Sequence, residues 1–132
     1  MFKKILLSLA LFGFFCSTQA LDWKNVSKDA FTHNKLILIS VERDGCHYCE
    51  KMNREVFTPK NNIKKIDRYY VHKIVDIGNI KLPSSIKDVK YFPSNYILDP
   101  KTMKIVDEFP GYMKADDFIS LLDTVYEVEF SN

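Results

Sequence analysis

A single α/β domain, with a central mixed β-sheet flanked by helices on both faces, is the architecture predicted by three observations. Leu36 to Val41 (LILISV) is a nearly continuous apolar run, the pattern of a strand covered on both sides. The segments that follow alternate between helical and strand periodicity, which describes a βαβ unit. The last third of the chain carries a hairpin signal and then apolar residues at helical spacing.

Taken in order, Asp22 can cap a first helix running to about Asn34, with Trp23, Val26, Ala30 and Phe31 as its apolar side. After the Leu36–Val41 strand, Glu42 to Gly45 reads as a loop. A helix starts at about Cys46 or His47 and ends near Phe57, because Thr58-Pro59 disfavours its continuation. Asn61 to Arg68 predicts a short basic helix with Ile63 and Ile66 turned inward. Tyr69 to Ile77, rich in aromatic and β-branched residues, predicts a strand. Gly78 to Lys90 reads as a loop with one helical turn at Ser84 to Asp88. Ser94 to Leu98 is the next strand, Asp99-Pro100-Lys101-Thr102 a turn, and Lys104 to Phe109 its antiparallel return. Pro110-Gly111 makes a second turn. Phe118, Leu121, Leu122, Val125 and Val128 then mark a closing helix, with Asp116 and Asp117 in its first turn, where the dipole favours acids.

Residues 1–20 read as a cleavable signal peptide. Lys3 and Lys4 form the positive start, Ile5 to Phe15 an apolar stretch of 11 residues, and Thr18-Gln19-Ala20 a small-residue cleavage site. An uncleaved anchor and a lipid anchor on Cys16 are the competing readings. The apolar stretch is short for a span, and bulky Phe14 and Phe15 precede the cysteine. The expectation is therefore a periplasmic domain covering residues 21–132. Without the leader's two lysines the basic and acidic residues balance at 17 each, so charge offers no reason to expect nucleic acid or an anionic membrane as partner.

Cysteine usage is the sharpest signal. Past the leader only Cys46 and Cys49 remain, in Cys46-His47-Tyr48-Cys49. An export signal places them where disulfides form. As a staple the pair is poorly placed, since so short a loop restrains the unfolded chain by only about 2 kcal/mol, against ~4.7 for a 100-residue loop. It suits redox chemistry. At a helix start, unpaired backbone N–H groups and the dipole favour thiolate over thiol. Lowering a thiol pKa from about 8.5 to about 7 raises the thiolate fraction at neutral pH from roughly 3% to about half. The thiolate attacks disulfides. Cys46, nearer the loop, is assigned as the attacking and exposed cysteine, and Cys49, one turn on, as the resolving one.

A strand, a Cys-x-x-Cys run opening a helix, and Phe92-Pro93-Ser94 leading into a strand and hairpin together resemble the thioredoxin fold, from about Trp23 to Glu127. The chain is most similar to small exported thioredoxin-like proteins whose C-terminal part reads like Phe109-Pro110-Gly111-Tyr112 before an acidic helix start. The resemblance implies a thiol–disulfide oxidoreductase whose redox disulfide joins Cys46 to Cys49. It also implies a cis peptide bond at Pro93 facing that pair, and a backbone at Phe92 that holds an extended substrate segment by strand addition. Two departures stand out. Ser40 occupies the strand position where thioredoxin has a buried carboxylate, which leaves proton removal from Cys49 without its usual helper; Glu42, nearby in sequence, is a candidate substitute through water. Gly45 replaces the tryptophan before the motif, which implies a differently shaped substrate surface.

His47 and Tyr48 are the residues expected to tune the potential. A cationic His47 would stabilise the Cys46 thiolate and push the protein toward an oxidant; a solvated His47 would have little effect. Tyr48 resembles the CGYC of exported disulfide isomerases, which dimerise through an extra domain for which this chain has no room, so an isomerase ranks below a simple reductase or oxidase; a monomer is expected. Glu50 after Cys49 excludes a covalent haem site, which needs histidine there. A zinc site on Cys46, Cys49, His47 and a distant His33 or His72 lacks a second paired motif, so no metal and no organic cofactor are expected. His33 and His72 read as plain helix-end and strand residues, and Lys60 to Lys65 as a solvated helix face. Tyr69, Tyr70, Tyr91, Phe92 and Tyr96 read as core or sheet surface, with Tyr91 and Phe92 bordering a peptide groove.

The function expected is reduction of disulfides in periplasmic proteins, with a membrane thiol-transfer protein as electron partner. Apocytochrome c, whose CxxCH cysteines must be reduced before haem attachment, is one client class. A disulfide-forming oxidase and a non-catalytic binding module on the same fold are the alternatives; the absent buried acid favours the module slightly.

Overall fold

The six residues Leu36 to Val41 are buried in succession, and the strand they form, β1 (Leu36–Glu42), is central to a four-stranded sheet. This is a computed structural model that describes residues 20–131, so the leader up to residue 19 lies outside the described residues. On one side β2 (Tyr70–Asp76) runs parallel to β1, with Leu36 opposite Tyr70 and Glu42 opposite Asp76. On the other, β3 (Ser94–Leu98) runs antiparallel, with Val41 opposite Ser94. β4 (Ile105–Pro110) pairs antiparallel with β3 across a bulge at Ile97/Leu98, giving the order β2-β1-β3-β4.

Period-two alternation along β1 divides the core in two. Leu36 and Leu38 face one side, packing with Met52, Ile66, Phe118 and Leu122 from the helices α2 (His47–Met52), α3 (Lys60–Tyr69) and α4 (Ala115–Phe130), and with Val56 from the turn that follows α2. Ile37, Ile39 and Val41 face the other, against Val26 and Ala30 of α1 (Trp23–Thr32) and Ile86 of the long loop. The sheet is thus mixed and covered on both faces, as the sequence predicts. Asp22 caps α1 by accepting the N–H of Lys24 at 2.9 Å. Asp99 closes the β3–β4 turn, accepting Lys101 N–H on its side chain and Met103 N–H on its carbonyl.

Several expectations need correction. The helix predicted to reach Phe57 does so, but its last five residues, Asn53–Phe57, form a π turn, in which Thr58 N–H reaches the carbonyl of Asn53. The helical turn at Ser84 to Asp88 is only a tight turn, closed by Ile86 N–H on the Pro83 carbonyl. Pro110 ends β4 instead of opening the turn, and Gly111, at φ 86°, starts it. Phe31, Ile63 and Val128 are 53%, 38% and 55% exposed, so they do not serve the core. In each case a stripe read from periodicity is wider than the face the sheet covers. Ile119, which that reading omitted, is buried where α4 packs over the core.

Two substitutions check this division. Phe118→Ala removes a fully buried ring and should cost about 3–5 kcal/mol. Phe31→Ala removes a half-exposed ring, with the Lys101 ammonium 5.4 Å from its centre, and should cost under about 1 kcal/mol. Urea unfolding midpoints at constant m-value read both; equal costs would place Phe31 in the core after all.

Candidate active site

The strand that anchors the sheet ends at Glu42, and three residues lead from it to Cys46, just before α2. The last of them, Gly45, lies at φ 68°, in the left-handed region that side chains resist, with open space around it. Backbone conformation therefore accounts for glycine before the motif. Cys46 is the N-cap of α2: its Sγ accepts the backbone N–H of Cys49 at 3.2 Å, so the sulfur faces an orphan donor of the helix start. The same donor favours a thiolate once the pair is reduced. Cys46 and Cys49 are joined as a disulfide with their Cα atoms 5.3 Å apart. Cys46 is the more exposed of the two, at 8% against 3%, but both are buried while bonded to each other.

Between them, His47 and Tyr48 project outward, and Tyr48 is 56% exposed. Their rings meet edge-on at 5.5 Å. Tyr48 also lies 6.4 Å from the ring of Tyr112, over which the Lys51 ammonium sits at 4.5 Å. The Tyr112 hydroxyl donates to the Glu55 carboxylate, so the loop after β4 is tied to the helix that carries the cysteines.

The Phe92–Pro93 peptide bond is cis. Register brings its loop to the motif's end of the sheet, since Val41 opposes Ser94 and Ser94 opposes Pro110. Gly111 N–H donates to the Pro93 carbonyl at 2.7 Å, and the Ser94 hydroxyl to the Tyr91 carbonyl at 2.6 Å. The Arg43 guanidinium lies over the Phe92 ring at 5.1 Å. Pro93 is buried and Phe92 partly so, whereas Tyr91 is 66% exposed. Three loops, at 43–45, 91–93 and 111–112, thus close around one end of the sheet.

Beneath α2 runs a polar row that sequence reading missed. The Ser40 hydroxyl donates to Asn95 Oδ1 at 2.6 Å, and His72 Nε2 lies 2.8 Å from the same hydroxyl. Because Ser40 spends its one proton on Asn95, His72 must donate through Nε2–H. Asn95 Nδ2 in turn contacts the Met52 sulfur at 3.7 Å. The row crosses three neighbouring strands and touches the helix that carries Cys49. Ser40 and Asn95 are 2% and 0% exposed. His72, read as a plain strand residue, is instead packed under the Phe57 ring at 4.6 Å. The available signals were a serine inside LILISV and an asparagine inside SNYIL, polar letters in strands otherwise apolar. Glu42, on the same face of β1, accepts Asn53 Nδ2–H at 2.8 Å. His33 lies where expected, capping α1 and paired with Asp29 at 3.0 Å.

The sequence profile described as "thioredoxin-like domain" matches residues 23–126. No curated protein matches the chain in a sequence search. Many solved structures share the fold, among them these three. The periplasmic thioredoxin SoxS from Paracoccus pantotrophus is 18% identical over 70% of this chain and 96% of its own, with a TM-score of 0.55. A thioredoxin-fold protein from Helicobacter pylori is 24% identical over 74% and 73%, with a TM-score of 0.59. DsbH oxidoreductase is 13% identical over 83% and 84%, with a TM-score of 0.63.

Burial, and secondarily the charge of Lys73, holds the His72 imidazole at about 4, well below its ordinary range. An unfolded chain takes up that proton near pH 6.5 while the folded one refuses it until about pH 4. Stability is therefore complete above about pH 6.5 and is lost as pH falls through this window, by at most about 1.4 kcal/mol per pH unit for one proton. His72→Gln keeps a donor for Ser40 but does not titrate, so its unfolding free energy between pH 5 and 6.5 should vary less steeply than the parent's by up to one proton. Urea titrations across that range measure it, and parallel slopes would show that His72 is protonated alike in both states.

Proposed function

We propose that this chain, which belongs to the thioredoxin-like domain family, is an exported thiol–disulfide oxidoreductase that reduces disulfides in periplasmic proteins. The observation that carries this reading is the Cys46–Cys49 disulfide at the start of α2, at the same end of the sheet as the cis Phe92–Pro93 bond. Reduced Cys46, its sulfur facing the helix-start N–H, attacks a substrate disulfide as thiolate. One substrate sulfur leaves with the electron pair, and a mixed disulfide forms. Cys49 then attacks Cys46, frees the second substrate thiolate and regenerates the Cys46–Cys49 bond. Two electrons pass to the substrate, and an outside dithiol must restore them.

Phe92 and Pro93 serve as the substrate-binding edge in this reading. Among the described residues the backbone groups of Phe92 have no hydrogen-bond partner, which leaves them available to an extended segment. His47 and Tyr48 border that segment and tune the potential. The leader at residues 1–20 and a neighbour described as a periplasmic thioredoxin support the compartment. In that compartment the electron source is a membrane thiol-transfer protein, apocytochrome c is a fitting client, and the domain acts as a monomer without metal or organic cofactor.

Insulin-disulfide reduction by the purified domain with dithiothreitol should be lost, by about 100-fold or more, in Cys46→Ser. Cys49→Ser should still attack but stall as a mixed disulfide that a reductant releases. A parent without activity would favour a passive binding module. Equilibration with a glutathione series then sets direction: a potential near about −270 mV fits an electron donor, whereas one near about −120 mV would make the protein an oxidant.

A further inference from the structure

Resolution of the mixed disulfide requires Cys49 to shed a proton at a site only 3% exposed, where burial disfavours the thiolate. Water access there is limited, so an acceptor on the protein matters. Alternation along β1 turns Leu36, Leu38, Ser40 and Glu42 toward the face that α2 covers. Ser40 is a hydroxyl already committed to Asn95. Glu42 is the one carboxylate of that strand face.

Its position is set by Asn53, whose Nδ2–H donates to Glu42 Oε2 at 2.8 Å. Asn53 stands four residues after Cys49, and its backbone N–H bonds the Cys49 carbonyl. Helical side chains lean toward the N-terminus and cover the preceding turn. The Asn53 amide, and the carboxylate it holds, therefore lie over the turn that carries Cys49. Oε1 receives no hydrogen bond among the described residues, and no ion pair within 4 Å engages either oxygen.

The other charged groups around Glu42 are engaged elsewhere. Asp76, opposite it on β2, accepts Gly78 N–H at 2.7 Å. Asp44 accepts Gly45 N–H, and Arg43 lies over Phe92. On the helix, Lys51 caps the Tyr112 ring, Glu55 accepts the Tyr112 hydroxyl, and Glu50 is exposed. His72, on the same sheet face, donates to Ser40. Next to Phe92 and Pro93 the loop brings Tyr91 as its titratable side chain, while Lys81, Lys87, Asp88 and Lys90 stand earlier in the same loop.

We propose that Glu42, held by Asn53, accepts the Cys49 proton when Cys49 resolves the mixed disulfide. This rests on the oxidoreductase reading above. In the step, the Cys49 S–H proton passes to the Glu42 carboxylate. The Cys49 sulfur then bonds to the Cys46 sulfur, and the Cys46–substrate S–S bond breaks with its electron pair on the substrate sulfur. Glu42 afterwards returns the proton to that leaving thiolate or to solvent, so protons and electrons balance.

The test is stopped-flow reaction of the reduced domain with one equivalent of an aromatic disulfide that releases a coloured thiolate. The first release reports attack by Cys46 and the second reports resolution by Cys49. Glu42→Gln keeps an acceptor for Asn53, so the fold is retained, but removes the proton-accepting charge. At pH 7 its first phase should match the parent's, and its second should be slower by about tenfold or more. The deficit should close as pH rises to about 9 and above, where hydroxide deprotonates the thiol directly. An unchanged second phase, or a deficit constant with pH, overturns the assignment, the latter by showing a structural role. Absence of both releases in the parent overturns the oxidoreductase reading, and this one with it.

Discussion

Burial of β1 on both faces is the constraint from which the rest of the architecture follows. A strand with six consecutive buried residues cannot lie at an edge or face water, so it must be paired on both sides and covered above and below. Pairing is met by β2 and β3, and cover by α1 on one face and α2, α3 and α4 on the other. Each buried aliphatic or aromatic side chain on these layers contributes roughly 1.5–3 kcal/mol, so the two clusters supply most of the driving force. The direction of β1 then decides where the chemistry sits. Its C-terminal end delivers the chain into α2, and the motif opens that helix.

At that end the backbone does much of the site's work. Gly45 supplies the left-handed turn, Cys46 takes the N-cap position, and the Cys49 N–H points at the Cys46 sulfur. Antiparallel pairing of β3 with β1 brings the cis Phe92–Pro93 bond to the same edge, and Gly111 N–H ties that loop to the end of β4. None of these contacts depends on a charged side chain. The rim differs: Tyr48, Lys51, Glu55 and Tyr112 join α2 and its π turn to the loop before α4 through ring and carboxylate contacts.

Ser40 changes the interior of the site more than its surface. A buried carboxylate there would need a proton or a partner. A serine instead forms a neutral row with His72 and Asn95, every link of which satisfies a group that burial would otherwise penalise. The charge on this face is displaced two residues along the strand to Glu42, where the chain nears the surface and Asn53 can hold it. The π turn begins at Asn53, so its side chain leaves the helix where the hydrogen-bond pattern widens.

Periodicity and punctuation in the sequence determined the order of elements, the two-faced burial of β1, the position of Cys46 and Cys49 at a helix start, and the β3–β4 hairpin. These are local properties: apolar spacing, an Asp22 cap, a proline turn, a cysteine pair. Resemblance to a family pointed further to the cis bond at Pro93, which composition cannot indicate. Only the tertiary structure decided which apolar residues reach the core, because neighbouring elements set the width of each covered stripe; Phe31 and Ile63 lose that competition and Ile119 wins it. It alone joined His72, Ser40 and Asn95, which are 32 and 55 residues apart in pairs along the chain. Hydrogen bonds between side chains on adjacent strands depend on register, and register is fixed by the whole sheet rather than by any one strand.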